Sequence, residues 1–321
     1  MLGADVVRLA AQGTLAGALL LSTPPIWLFV LLAGVGGAGE AFFAPALGGL
    51  TPAVVPPGRL ADANALIGLA QSATRVIGPA LAGVLIGLTR PAVVIAFDAA
   101  TFGISLVALA LLTVPLARPA GRSPWRDLAD GWNQFRSQAW LCVITVQFAL
   151  FNLLTWAPFL LLGPVLARQY LGGARAWGLV TAAMALGAVL AGLALVGRTA
   201  PRRPLVAAAI GTYGYGLPCL MLSLRLPVYA VAAGAFIAGT GSAIFNTYSA
   251  TVMQQRVPQE MLARANAFTL TGAYALGSAG LAVIGPVAAV VGIGPMLAFA
   301  AAYNTLSSSL VLALRPIRSV S

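Results

Sequence analysis

Apolar residues run through this chain in long, nearly unbroken blocks and do not alternate with polar ones. A helix needs about 20 such residues to cross a bilayer. Ten stretches come up to that length, at about 6–23, 26–49, 65–88, 92–114, 139–167, 176–197, 204–223, 228–252, 265–289 and 293–314. Turn-forming and charged residues separate them: Thr23-Pro24-Pro25, Thr51 to Arg59, Thr89-Arg90-Pro91, Arg198 to Pro204 and Leu224 to Pro227. Proline lacks the N–H a helix needs and its ring clashes with the preceding turn, so these breaks are physical boundaries. The pattern predicts an all-α integral membrane protein with ten transmembrane helices.

The charges test that count. With connections assigned alternately to two sides, Arg8, Arg59, Arg118, Arg122, Arg126, Arg136, Arg198, Arg202, Arg203, Arg256, Arg264, Arg315 and Arg318 fall on one side. Arg90, Arg168, Arg175 and Arg225 fall on the other. Thirteen against four orients both termini to the cytoplasm of a plasma (inner) membrane by the positive-inside rule. One helix more or fewer would scramble the division.

Composition narrows the chemistry. Of the 321 residues 60% are hydrophobic and 8% charged, where a soluble domain carries roughly 25% charged residues. Lipid is therefore the expected partner over most of the surface. All 18 basic residues are arginine and the net charge is +11, but the arginines are scattered between apolar runs and form no basic face, so no nucleic-acid partner is expected. The chain has no histidine, and its two cysteines are Cys142 and Cys219. That removes histidine-based catalysis, metal sites and disulfide frameworks, so neither an enzyme nor a cofactor-bearing protein is expected.

The longest polar interruption, 115–138, reads PLARPAGRSPWRDLADGWNQFRSQ. Ser123 before Pro124 makes a helix start. Trp125, Leu128, Trp132 and Phe135 follow at helical spacing, which predicts an amphipathic helix on the cytoplasmic membrane surface.

The chain also repeats itself. VPPGRLADANA at 55–65 and VPQEMLARANA at 257–267 agree at seven of eleven positions, at an offset of 202 residues. Under the same offset GAGEAFF at 37–43 faces GTGSAIF at 239–245, and Gly78 and Gly83 face Gly280 and Gly285. A fixed-offset match of this length signals two duplicated halves. The second half holds six spans and the first holds four, which match the last four of the second. Residue 1 falls where the second half has an inter-helix loop, so the chain reads as a twelve-helix protein entered at its third helix. The organisation expected is an incomplete bundle over 1–115, a linker over 116–138 and a six-helix bundle over 139–321.

Two parallel six-helix halves joined by a cytoplasmic linker resemble the major facilitator superfamily. Within it, GEAFFAPALGGLTPAVVPPGRLADANAL, GPALAGVLIG and FDAATFGISL resemble the branch of macrolide and enterobactin exporters. MLGADVVR, with Asp5 and Arg8, resembles the tail of the signature loop between helices two and three, which implies a conformational role. RVIGPALAG at 75–83 resembles the antiporter motif of helix five, retaining Gly78, Pro79 and Gly83, with Ala82 where a second glycine is usual. The resemblance implies proton-driven export of drugs, macrolides or siderophores by a monomer.

Ionisable groups within a membrane are costly and commonly functional. Three lie well inside: Glu40, Arg75 and Asp98. At 1.5 Å per residue, Glu40 and Arg75 sit roughly 13 and 15 Å from the cytoplasmic ends of their helices, which lets them pair. Asp98 lies about 9 Å from the opposite surface, where a structural hydrogen bond fits better. Glu40 is the expected carrier of the coupling proton, with Arg75 favouring its charged form against burial. The literal G-x-G-x-x-G at Gly34, Gly36 and Gly39 lies inside an apolar span, and a nucleotide fingerprint needs a strand before it. For substrate contacts, the stretch QFALFNLLTW presents Gln147, Phe151 and Thr155 on one face and Phe148, Asn152 and Trp156 on the next. Asn246, Tyr248 and Tyr274 are further cavity candidates. Asn64 and Asn266, in the repeated words, are read as caps or gates. The expectation is a proton-coupled exporter of small organic compounds with no cofactor beyond the proton gradient. A membrane remnant that no longer transports is the competing reading.

Overall fold

The computed structural model describes residues 1–21, 24–112, 132–133, 135–198 and 200–318, apart from the side chains at 75, 76, 79, 80, 82–84, 86, 87 and 260. Every regular element among the described residues is helical. In chain order the long helices are α1 (Leu2–Leu21), α2 (Ile26–Val54), α3 (Leu60–Leu88) and α4 (Pro91–Leu111). There follow α5 (Ala139–Leu171), α6 (Ala174–Leu195), α7 (Pro204–Ser223), α8 (Val228–Arg256), α9 (Gln259–Val291) and α10 (Ile293–Ala313). Nine of these are long and apolar enough among their described residues to cross a membrane. The remaining one, α3, is a 29-residue helix in which several side chains stand outside the description. Large apolar side chains such as Ile26, Phe42, Phe97, Val290 and Leu306 are exposed along the helices, which only lipid makes affordable. This is a multi-pass, all-α membrane protein.

The helices run past the apolar stretches that announce them. α1 starts four residues earlier than the apolar run at 6–23, and α2 continues through Thr51 and Pro52 to Val54. The Thr51 hydroxyl donates to the Leu47 carbonyl at 3.0 Å, so a polar side chain is satisfied by the helix itself and need not end it. The turn between α5 and α6 is Gly172-Gly173, with φ of 97° and 84°, a left-handed pair that glycine adopts without strain.

The duplication is visible in the element bounds. Adding the offset of 202 to α1, α2 and α4 reproduces the bounds of α7, α8 and α10 to the residue.

Two compact units are present. The first comprises Met1–Val54 and Ile77–Gly121; the second comprises Val55–Val76 and Arg122–Ser321. In the first, α1 packs against both α4 and α2. In the second, α8 packs against α6 and α7, α7 against α10, and α9 along α5. Glycine decides how close α8 comes to its neighbours. A Cβ on Gly239 would stand 1.7 Å from the Met184 carbonyl oxygen, and one on Gly241 would stand 2.0 Å from that of Gly211. The GTG of GTGSAIF therefore marks backbone-to-backbone contact, the small-residue packing typical of membrane helices.

Of the expected amphipathic helix, residues 123–131 and 134 lie outside the described residues. The described part departs from a surface-lying helix. Phe135 is buried with Leu141, Met253, Val257 and Leu262, and Trp132 and Phe135 gather around the Phe268 ring at centroid distances of 5.5 and 5.6 Å. The apolar face of Phe135 finds protein to bury against, which competes with lipid for the same surface, while Trp132 touches the same rings and stays half exposed.

Candidate functional site

In the first unit three helices converge on one arginine. Asp5 and Arg8 of α1 are three residues apart and so share a face. The Arg8 guanidinium places Nη2 2.8 Å from Glu40 Oε2 on α2, and Nη1 3.8 Å from Asp5 Oδ1. The same guanidinium lies over the Phe102 ring of α4 at 4.1 Å and near the Phe43 ring at 5.4 Å. Gly39 makes room for the arginine stem, since a Cβ there would stand 2.7 Å from Arg8 Cγ. A charge in an apolar bundle persists only when paired and hydrogen-bonded, and aromatic faces add to that.

The two carboxylates differ in setting. Asp5 is completely buried; the Ser105 hydroxyl of α4 donates to its Oδ2 at 2.7 Å, while its Oδ1 has no hydrogen-bond partner among the described residues. Glu40 is half exposed. Glu40 is thus the exposed carboxylate of the two and Asp5 the buried one. The expected partner, Arg75, has a side chain outside the described residues, as do Pro79 and Gly83; Arg8 occupies the place beside Glu40. Asp98 is exposed and forms no ion pair among the described residues; Thr101 donates to its backbone carbonyl at 2.7 Å.

The second unit holds a neutral cleft. It is lined by Gln147, Phe148 and Phe151 of α5, Thr212 and Tyr215 of α7, Phe245 of α8, and Tyr303, Asn304 and Ser307 of α10, with about 20 Å³ of free space. That is room for a water-sized group. Phe151 and Tyr215 close one wall at 4.5 Å between ring centroids. Asn304 donates to the Thr212 carbonyl at 2.9 Å, and the Thr212 and Ser308 hydroxyls bond at 2.8 Å. Gln147 is buried with no side-chain hydrogen bond among the described residues.

Of the other cavity candidates, the Asn152 amide bonds back to the Phe148 carbonyl at 2.8 Å. Thr155 and Tyr248 are buried, and Trp156 packs against the hydrophobic core. Asn246 donates to the Ser242 hydroxyl at 3.2 Å, and Tyr274 is exposed. For the α5 candidates the physical reason is a π-helical segment at Asn152–Trp156. Each residue added to a turn rotates the helix beyond it by roughly 100°, so a face traced at regular spacing from Gln147 is lost after Phe151. Sequence reasoning missed Thr212, Tyr215, Phe245, Tyr303, Asn304 and Ser307 of the cleft lining. The signal was there for α10: the polar run Asn304, Thr305, Ser307, Ser308, Ser309 interrupts an apolar span.

The repeated asparagines fare differently. Asn64 donates to Thr251 Oγ1 at 3.0 Å and to Gln254 Oε1 at 2.8 Å, and Gln254 donates back at 3.2 Å, all within the second unit. Nearby, Asp62 accepts from the Gly197 N–H at 2.7 Å. Asn266 is half-buried and makes no side-chain hydrogen bond among the described residues. Gly78 is half-buried within α3.

The model of the Major Facilitator Superfamily matches residues 3–282. Macrolide efflux protein A of Streptococcus pyogenes is 24% identical over 281 residues, covering 85% of this chain and 68% of that protein. Its namesake in Enterococcus faecalis is also 24% identical over 281 residues, covering 85% of each chain. Among solved structures, a bacterial homologue of the iron transporter ferroportin in an outward-facing state shares the fold with a TM-score of 0.71 at 15% identity, covering 97% of this chain and 79% of that one.

Proposed function

The chain belongs to the major facilitator superfamily of membrane transporters, and from that premise we propose that it exports small organic compounds in exchange for protons. The observation that carries this reading is the Arg8–Glu40 ion pair at 2.8 Å between two apolar helices, α1 and α2. An intramembrane carboxylate held by a cation is a group whose proton can be coupled to movement. In this reading Glu40 carries the proton and Arg8 is its counter-charge. The likeness to two macrolide efflux proteins supports large, partly apolar substrates. The distribution of arginines between the helices supports both termini on the cytoplasmic side of the plasma membrane, and the working unit in this reading is a monomer.

The test is efflux of a macrolide panel from cells expressing the chain, with and without a protonophore. Protonophore-sensitive extrusion is expected. Glu40→Gln should abolish uphill movement while leaving membrane insertion intact; unaltered pumping by this variant removes Glu40 from the coupling step.

A further inference from the structure

We propose that Asp5 is a positioning residue that competes with Glu40 for Arg8, so that the arginine changes carboxylate when Glu40 takes up its proton. The inference rests on the reading of Glu40 as proton carrier and adds a second carboxylate to it. Three observations support it. Arg8 sits between two acids at unequal range, 2.8 Å from Glu40 and 3.8 Å from Asp5. The Asp5 oxygen nearest the guanidinium, Oδ1, is buried and lacks a hydrogen bond among the described residues. The other oxygen accepts from Ser105 at 2.7 Å, which takes up part of the carboxylate's charge and leaves Asp5 the weaker competitor while Glu40 is ionised.

The charge count gives the direction. With all three groups ionised, two carboxylates and one guanidinium leave a net −1 in an apolar bundle. A proton bonding to a Glu40 carboxylate oxygen brings the trio to zero and removes the arginine's nearer partner. The guanidinium then gains most by closing the gap to Asp5 Oδ1, forming a charge-assisted hydrogen bond. Release of the proton reverses the exchange. Among the described residues, the elements packed against α1 add one charged group beyond the trio. Glu40 of α2 is already counted; Asp98 of α4 is exposed and within electrostatic range of Arg8.

The test reads Glu40 itself. The purified protein, reconstituted in liposomes, is followed by pH-jump infrared difference spectroscopy in the carboxylic-acid C=O region. Wild type is expected to show a band that Glu40→Gln removes. Asp5→Asn leaves Arg8 to Glu40 alone, so the band should appear at lower pH. Ser105→Ala removes the donor to Asp5 while keeping its charge, strengthens Asp5's hold on Arg8, and should move the band to higher pH. Shifts of opposite sign do not arise from general loosening of the fold, and the serine variant keeps the test alive should Asp5→Asn fail to fold. A Glu40 band that is present but unmoved in both variants overturns the competition. Absence of a Glu40 band in wild type instead overturns the proton-carrier reading beneath it.

Discussion

Asn64 and Asn266 occupy the same place in the two repeats, yet their surroundings set them apart. Asn64 exchanges hydrogen bonds with Thr251 and Gln254. The offset of 202 puts Gly49 and Pro52 at the corresponding positions for Asn266, and neither carries a side-chain donor or acceptor. Removing one member of a buried hydrogen-bonded set costs about 1–3 kcal/mol. Asn64→Ala should therefore lower unfolding stability by that order, whereas Asn266→Ala should change it little. Chemical denaturation of the two variants in detergent compares them directly, and equal losses would show that the polar set does not hold α3. The asparagines were legible from the repeat as special. Their inequality was not, because it depends on residues 187 and 190 positions away in the chain. Arg8 is a similar case. Its spacing from Asp5 is plain in the sequence, but only the fold brings Glu40 to it.

Whole helices show the same divergence. Gly37 and Gly239 are matched by the repeat, but a Cβ on Gly37 meets nothing within 4 Å, whereas one on Gly239 runs into the Met184 carbonyl. A helical Gly→Ala change with free space gains about 0.5–1 kcal/mol by relieving backbone entropy. Where a backbone blocks the new methyl, overpacking costs about 1–3 kcal/mol. Gly239→Ala should accordingly lower the thermal midpoint and Gly37→Ala should hold or raise it, as measured by light-scattering melts of the purified variants. A Gly239→Ala protein as stable as wild type would mean that α6 and α8 tolerate separation. Periodicity found these helices because lipid imposes one simple demand on length and polarity. It lost the cleft face of α5 after Phe151, since a π segment leaves no mark in apolar periodicity. It also sent Phe135 to the membrane surface because lipid and a protein groove ask for the same apolar side chain.

Across the whole molecule, duplication kept the helix bounds and changed the polar chemistry between them. The positions of Asp5, Arg8 and Glu40 correspond under the offset to Ala207, Ile210 and Ser242, while Phe102 and Ser105 correspond to Asn304 and Ser307. The place that holds an ionic cluster in the first unit is thus neutral in the second, where the Asn304 amide donates to the Thr212 carbonyl and the Thr212 and Ser308 hydroxyls bond each other. Charges inside a membrane are retained at substantial cost, so their confinement to one of two duplicated sites supports the coupling role proposed for Glu40. The consequence is a pairwise test at matched positions. Glu40→Gln should reduce the protonophore-sensitive part of macrolide efflux to background, while Ser242→Ala, which removes the acceptor of a single hydrogen bond from Asn246, should leave it within about twofold of wild type, a difference of roughly 0.4 kcal/mol on the tenfold-per-1.4 scale. Equal loss in both variants would mean that the neutral unit shares in coupling, and the charge asymmetry would then need a structural explanation.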